Sequence, residues 1–132
     1  MKTSVIRQSR FIPAPPEKVY EAFVNAKRHA AFTGAGATGT AKVGAAFTAW
    51  DGYIYGKHLE LEKGKRIVQE WSTSEWPAGA PPSRLEFTFE AKAEGCQVKM
   101  VQSAVPAEQA DRYKKGWIDF YWTPLANYFQ AA

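Results

Sequence analysis

Two histidines, one cysteine and scattered carboxylates are the side chains in this 132-residue chain best suited to acid–base or nucleophilic chemistry. Nucleophilic catalysis needs a nucleophile within reach of a base. His29 follows Lys27 and Arg28 on a helical stretch, which predicts a solvated surface imidazole. His58 falls mid-strand among Trp50, Tyr53, Tyr55 and Trp71. It can project inward as a polar anchor or general base, but no carboxylate is partnered with it in sequence. A hydrogen-bonded strand histidine is the expected role. Cys96 follows Gly95 at an expected turn and has no second cysteine to pair with. Glu60 and Glu62 flank Leu61, and Glu86, Thr88 and Glu90 share one strand face. Both groups read as solvated faces rather than a catalytic carboxylate pair. Asp111 and Asp119 fall on the last helix, Asp119 off its apolar stripe and so exposed. No catalytic residue is assigned. The spacing of the two histidines and the cysteine fits no metal site, and no metal or cofactor is expected. Gly34, Gly36 and Gly39 lack the preceding strand, following helix and Gly-Lys-Ser/Thr ending of a phosphate loop.

The aromatic residues remain. Tyr113, Trp117, Phe120, Tyr121, Pro124, Leu125, Tyr128 and Phe129 recur at helical spacing and form one wide apolar face near the C-terminus. Large rings fill cores and line small-molecule pockets, and Tyr and Trp add polar edges that orient a ligand. The candidate ligand-binding residues are Trp117, Phe120 and Tyr121 from this helix, with Trp50, His58, Trp71 and Phe87 from strands.

Those strands can be placed. Ser4 to Ile12 reads as the first, closed by Pro13, Pro15 and Pro16. Proline suits a first helical turn, so a helix runs to about Asn25, and a second short helix spans Ala26 to Phe32. Gly34 to Gly44 reads as a loop able to gate access to an interior. Ala45 to Trp50 and Tyr53 to Leu61 form a hairpin about a two-residue Asp51-Gly52 turn. Both faces of the second strand hold apolar residues, so its inward face stays open. Arg66 to Thr73, Arg84 to Glu90 and Gln97 to Ser103 complete the strands, with Leu85, Phe87 and Phe89 on one face. Gly116 and Pro124 interrupt the final helix, and Pro124 should kink it. Short connections make the sheet antiparallel. The fold class is α+β: a curved antiparallel sheet of about six strands gripping a long C-terminal helix, with two short helices after the first strand.

The length predicts a single domain over residues 1–132, large enough to fold without disulfide or metal. The composition is 45% hydrophobic, 14% aromatic and 23% charged, with a net charge of +4. That fits a soluble globular protein. The basic residues are scattered rather than striped, which argues against nucleic acid. Residues 1–10 lack the apolar core of a secretory signal, and no stretch approaches the roughly 20 apolar residues of a membrane span. A cytoplasmic protein, monomeric or homodimeric, is expected.

Three segments in order carry a resemblance: Phe11–Asn25 (FIPAPPEKVYEAFVN), Gly44–Trp71 (GAAFTAWDGYIYGKHLELEKGKRIVQEW) and Tyr113–Phe129 (YKKGWIDFYWTPLANYF). With them the chain resembles the START-like helix-grip (SRPBCC) superfamily, in the branch named for the C-terminal domain of the activator of the heat-shock protein 90 ATPase. The resemblance implies a sheet-and-helix grip around an internal cavity. The main functional expectation is a non-enzymatic protein holding a hydrophobic or amphipathic small molecule between sheet and helix. An interaction module stimulating a chaperone ATPase is the alternative that the branch implies. An enzyme acting on a cavity-bound substrate is the third, with His58 its only imidazole.

Overall fold

A computed structural model describes residues 2–130 of the chain. Strand β1 (Thr3–Ile12) leads into helices α1 (Pro16–Val24) and α2 (Ala26–Thr33). Six strands follow: β2 (Thr38–Gly39), β3 (Ala46–Ala49), β4 (Ile54–Glu62), β5 (Arg66–Thr73), β6 (Ser83–Lys92) and β7 (Gly95–Pro106). All seven belong to one antiparallel sheet ordered β1-β7-β6-β5-β4-β3-β2. The α+β helix-grip class therefore holds, with seven strands rather than about six. The added strand is β2, two residues inside the stretch read as a loop. It lies on the sheet edge, pairing Thr38 with Thr48 and Gly39 with Phe47.

Local sequence explains the helices. Pro15 and Pro16 open α1, and Glu17 sits in its first turn. Val19, Tyr20 and Phe23 are buried on its inner face. Asn25 caps α2 by accepting a hydrogen bond from the Arg28 N–H at 3.0 Å. Gly34 ends α2 in the left-handed conformation at φ 79°.

Two bulges bend the sheet. Between the pairs His58–Gln69 and Glu60–Val68, β4 carries the extra residue Leu59. The bulge reverses which side chains face inward. Ile54, Gly56 and His58 point to the helix side before it, and Leu61 does so after it, opposite Ile67. That is why both faces of β4 read as apolar. The second bulge is in β7, where Ala104 adopts φ 60° across from the Ser4–Ile6 stretch of β1.

The hairpin between β3 and β4 is wider than the expected two-residue turn. Ala49 pairs with Ile54, and Trp50 to Tyr53 form the loop. Trp50 and Asp51 both take positive φ, at 51° and 57°. Asp51 ties this loop to the Gly-rich segment: its N–H donates to the Gly36 carbonyl at 3.0 Å, and its Oδ1 accepts from the Gly36 N–H at 2.8 Å. Cys96 is a buried residue of β7 rather than part of a turn.

The C-terminal stretch opens with a tight 3₁₀ turn (Ala107–Gln109) and runs through α3 (Ala110–Trp117), a π turn (Ile118–Trp122) and α4 (Thr123–Gln130). Gly116 does not interrupt it. Pro124 does act, because it brings no N–H to the helical ladder. Just ahead of it the Thr123 N–H reaches back five residues to the Ile118 carbonyl. Gln8 of β1 braces the wider turn. Its amide donates to the Lys114 carbonyl at 3.0 Å and accepts from Trp122 Nε1 at 2.7 Å.

Candidate functional site

Between the open side of the sheet and α3 lies a cavity of about 390 Å³. The β3–β4 loop contributes Trp50 and Tyr53, β4 contributes Ile54, and β5 contributes Trp71. The helix side presents Arg112, Tyr113, Gly116 and Trp117 from α3, then Phe120 and Tyr121 from the π turn. The wider turn keeps consecutive residues Phe120 and Tyr121 both on the cavity. Phe120 is 54% exposed and meets Trp50 edge to face, with ring centroids 5.4 Å apart. Tyr121 is buried against Trp117 at 4.7 Å.

The polar ends of Trp117 and Tyr113 are held by the protein. Trp117 Nε1 donates to Gln102 Oε1 at 2.9 Å, and the Gln102 amide donates to Ser83 Oγ at 3.1 Å. Ser83 Oγ then donates to the Trp71 carbonyl at 2.7 Å. Gln102 and Ser83 are buried, so this chain fastens helix to sheet in a medium where each bond counts. Tyr113 Oη donates to Gln109 Oε1 at 2.7 Å and lies 2.8 Å from Thr73 Oγ1, whose proton it accepts. Trp50 Nε1 is buried without such a partner. Among the described residues it is the only buried side-chain nitrogen or oxygen without a hydrogen-bond partner.

Tyr121 reaches the residue that sequence reasoning misplaced. His29 is buried, not a solvated surface residue. Its Nδ1 lies 3.0 Å from the Phe23 carbonyl and its Nε2 lies 2.9 Å from Tyr121 Oη. A carbonyl only accepts, so Nδ1 carries the proton and Nε2 accepts from the tyrosine. Burial lowers the His29 pKa, and burial raises that of Tyr121. Lys27 and Arg28 suggested solvent, but they occupy the other side of the same short helix and are not buried.

Five of the seven sequence candidates line the cavity: Trp50, Trp71, Trp117, Phe120 and Tyr121. Phe87 does not. It stacks on Phe23 at 4.4 Å and stands edge-on behind Trp117 at 5.8 Å, bordering a separate void of about 20 Å³. His58 does not line the cavity either. It is two residue pairs along the sheet from the Gly56–Trp71 pair, stacked on Phe47 at 5.2 Å, with Nδ1 3.3 Å from the Gln69 amide. Burial lowers its pKa as well. Its hydrogen bond is to an amide rather than a carboxylate, the partner a general base usually needs. Tyr53, Ile54, Arg112, Tyr113 and Gly116 were not among the candidates. Arg112, Gly116 and Phe120 form an i, i+4, i+8 row, and that spacing is the signal that would have found Arg112 and Gly116.

The described residues contain no group of three or more His, Cys, Asp and Glu side chains that could hold a metal ion. No described helix is long and apolar enough to cross a membrane.

Comparison with known proteins places this geometry. The profile of the family described as "Activator of Hsp90 ATPase homolog 1-like protein" matches residues 13–130. The human activator of 90 kDa heat shock protein ATPase homolog 1 is 31% identical over 114 residues, which cover 86% of this chain and 33% of that protein. The chain spans 30% to 38% of the length of the curated relatives it matches. Among solved structures, an HSP90 activator from Plasmodium falciparum superposes with TM-score 0.78 at 24% identity, covering 92% of this chain and 91% of that one. The Aha1 dimer from Colwellia psychrerythraea superposes with TM-score 0.81 at 18% identity, covering 96% of each chain. At these identities the structural neighbours speak for the fold.

Proposed function

The chain belongs to the family of Activator of Hsp90 ATPase homolog 1-like proteins, and from that premise we propose that it binds a hydrophobic or amphipathic small molecule in the cavity beneath α3. One observation carries this reading. About 390 Å³ of space is walled by Trp50, Tyr53, Trp71, Tyr113, Trp117 and Phe120, within the size range of small-molecule sites. Cores are ordinarily packed without voids larger than a water molecule. Native mass spectrometry of freshly purified protein, followed by denaturing extraction, is the test. A retained small molecule, released on denaturation, is the expected result. A bare protein mass that stays bare after incubation with N-phenyl-1-naphthylamine would sink the reading. The same spectra report monomer or homodimer, the latter being the state named for the Colwellia neighbour.

A second reading has its own support. The family and the human relative are named for activation of the 90 kDa heat-shock ATPase. On that reading the domain stimulates a chaperone ATPase by contact. Titrating the protein into the chaperone should raise ATP turnover in a saturable way, and flat turnover would remove it.

A further inference from the structure

Several rings that line the cavity turn their polar atoms to the protein. Tyr113, Tyr121 and Trp117 have already spent their polar atoms on Gln109, His29 and Gln102, and the Trp50 N–H is covered. The only charged side chain on the lining is Arg112. It is half-exposed, with its guanidinium 5.5 Å from the Tyr113 ring centroid. One nitrogen, Nη2, lies 2.8 Å from Glu75 Oε2. A guanidinium has five N–H donors in a planar fork, so this contact leaves most of them free for a second acceptor.

Glu75 is itself held in place. Its N–H donates to Thr73 Oγ1 at 3.2 Å, Thr73 Oγ1 donates to Tyr113 Oη, Tyr113 donates to Gln109 Oε1, and the Gln109 amide donates to the Glu75 carbonyl at 2.9 Å. This closed ring of bonds fixes the backbone beside Arg112.

We infer that the cavity's occupant is an amphipathic anion, a flat aromatic body among the rings with one carboxylate-like group on Arg112. The inference rests on the small-molecule reading and adds the chemistry of the ligand. Bare aromatic walls would also accept a cation. A cation here would sit against a permanent positive charge, and Glu75, the carboxylate at that position, is already engaged with Arg112.

Two dyes of the same ring skeleton separate the two ideas. 1-Anilinonaphthalene-8-sulfonate carries the anion, and N-phenyl-1-naphthylamine is the same body without it. Both should bind the wild type, and Gly116→Leu, which fills the cavity, should weaken both. Arg112→Gln should weaken the sulfonate dye about fivefold, the scale of a half-exposed ion pair. The neutral dye should change by less than about twofold. Glu75→Gln, which frees the guanidinium, should tighten the sulfonate dye alone. Thermal melts of both charge variants should match the wild type. If Arg112→Gln moves both dyes alike, or neither, the anionic head group is wrong and the cavity reading stands. If the neutral dye fails to bind the wild type, the cavity reading falls and the inference with it.

Discussion

Tyr121 ties the C-terminal helical stretch to α2 through a buried hydrogen bond. Its hydroxyl donates to His29, and removing the oxygen in Tyr121→Phe leaves Nε2 without a donor inside the protein. The expected loss is about 1–3 kcal/mol in urea denaturation, the range for an orphaned buried acceptor. A loss below about 0.3 kcal/mol would mean that water replaces the hydroxyl. The two imidazoles also set a pH dependence. Burial lowers the pKa of both His29 and His58 in the folded protein. In the unfolded chain both titrate near 6.5. Below that pH the unfolded state takes up protons that the folded state resists, so stability falls as pH drops through 6.5 and is flat with respect to these groups above it. Urea midpoints should therefore fall between pH 7.5 and 5.5, and His29→Gln should reduce the slope. An unchanged slope in both His29→Gln and His58→Gln would assign the acid sensitivity to other groups. Little of this was legible beforehand. Lys27 and Arg28 pulled the expectation for His29 toward solvent, and the contact it makes lies 92 positions away in sequence.

Elements were more legible than residues, for a physical reason. Period-two alternation in β6 and period-3.6 aromatics near the C-terminus are local signals, and local signals are what a single sequence carries. The bulge at Leu59, the two-residue edge strand β2 and the π turn depend on partners elsewhere in the fold, and only Pro124 hinted at the last. Gly116 shows what an element can give up for space. It lies within α3, where glycine is about 0.5–1 kcal/mol worse than alanine, and its backbone has no positive φ that would require it. A Cβ there would meet only the Phe120 ring, at 3.9 Å. Gly116→Ala should therefore raise stability by about 0.5–1 kcal/mol while narrowing the cavity. Calorimetry together with a neutral-dye titration checks both parts, and a destabilised variant would show that the backbone needs the glycine. Gly56 contrasts with it. A Cβ there would collide with the Glu70 carbonyl oxygen of the neighbouring strand, so Gly56→Ala should destabilise by several times that amount.

At the scale of the whole molecule, a ligand that binds only the folded state stabilises everything that closes around it. At a hundredfold excess over its dissociation constant, N-phenyl-1-naphthylamine should add about 2.7 kcal/mol, visible as a melting temperature raised by roughly 10 °C. Gly116→Leu should abolish most of that shift, and an unaltered shift would place the dye elsewhere. The order of the strands has a separate consequence. β1, first of the seven strands in chain order, pairs in the sheet only with β7, the last of them, with Thr3 opposite Pro106 and Ile12 opposite Cys96. During synthesis the ribosome releases β1 long before its partner exists. Until then Val5, Ile6, Phe11 and Ile12 hang on an unpaired ribbon, the form of chain most prone to sticking to its neighbours. Refolding from denaturant must close the same long loop, which makes the union of first strand and last a slow event by topology alone. Newborn copies of this protein therefore spend their first seconds as half-built sheets in need of shelter.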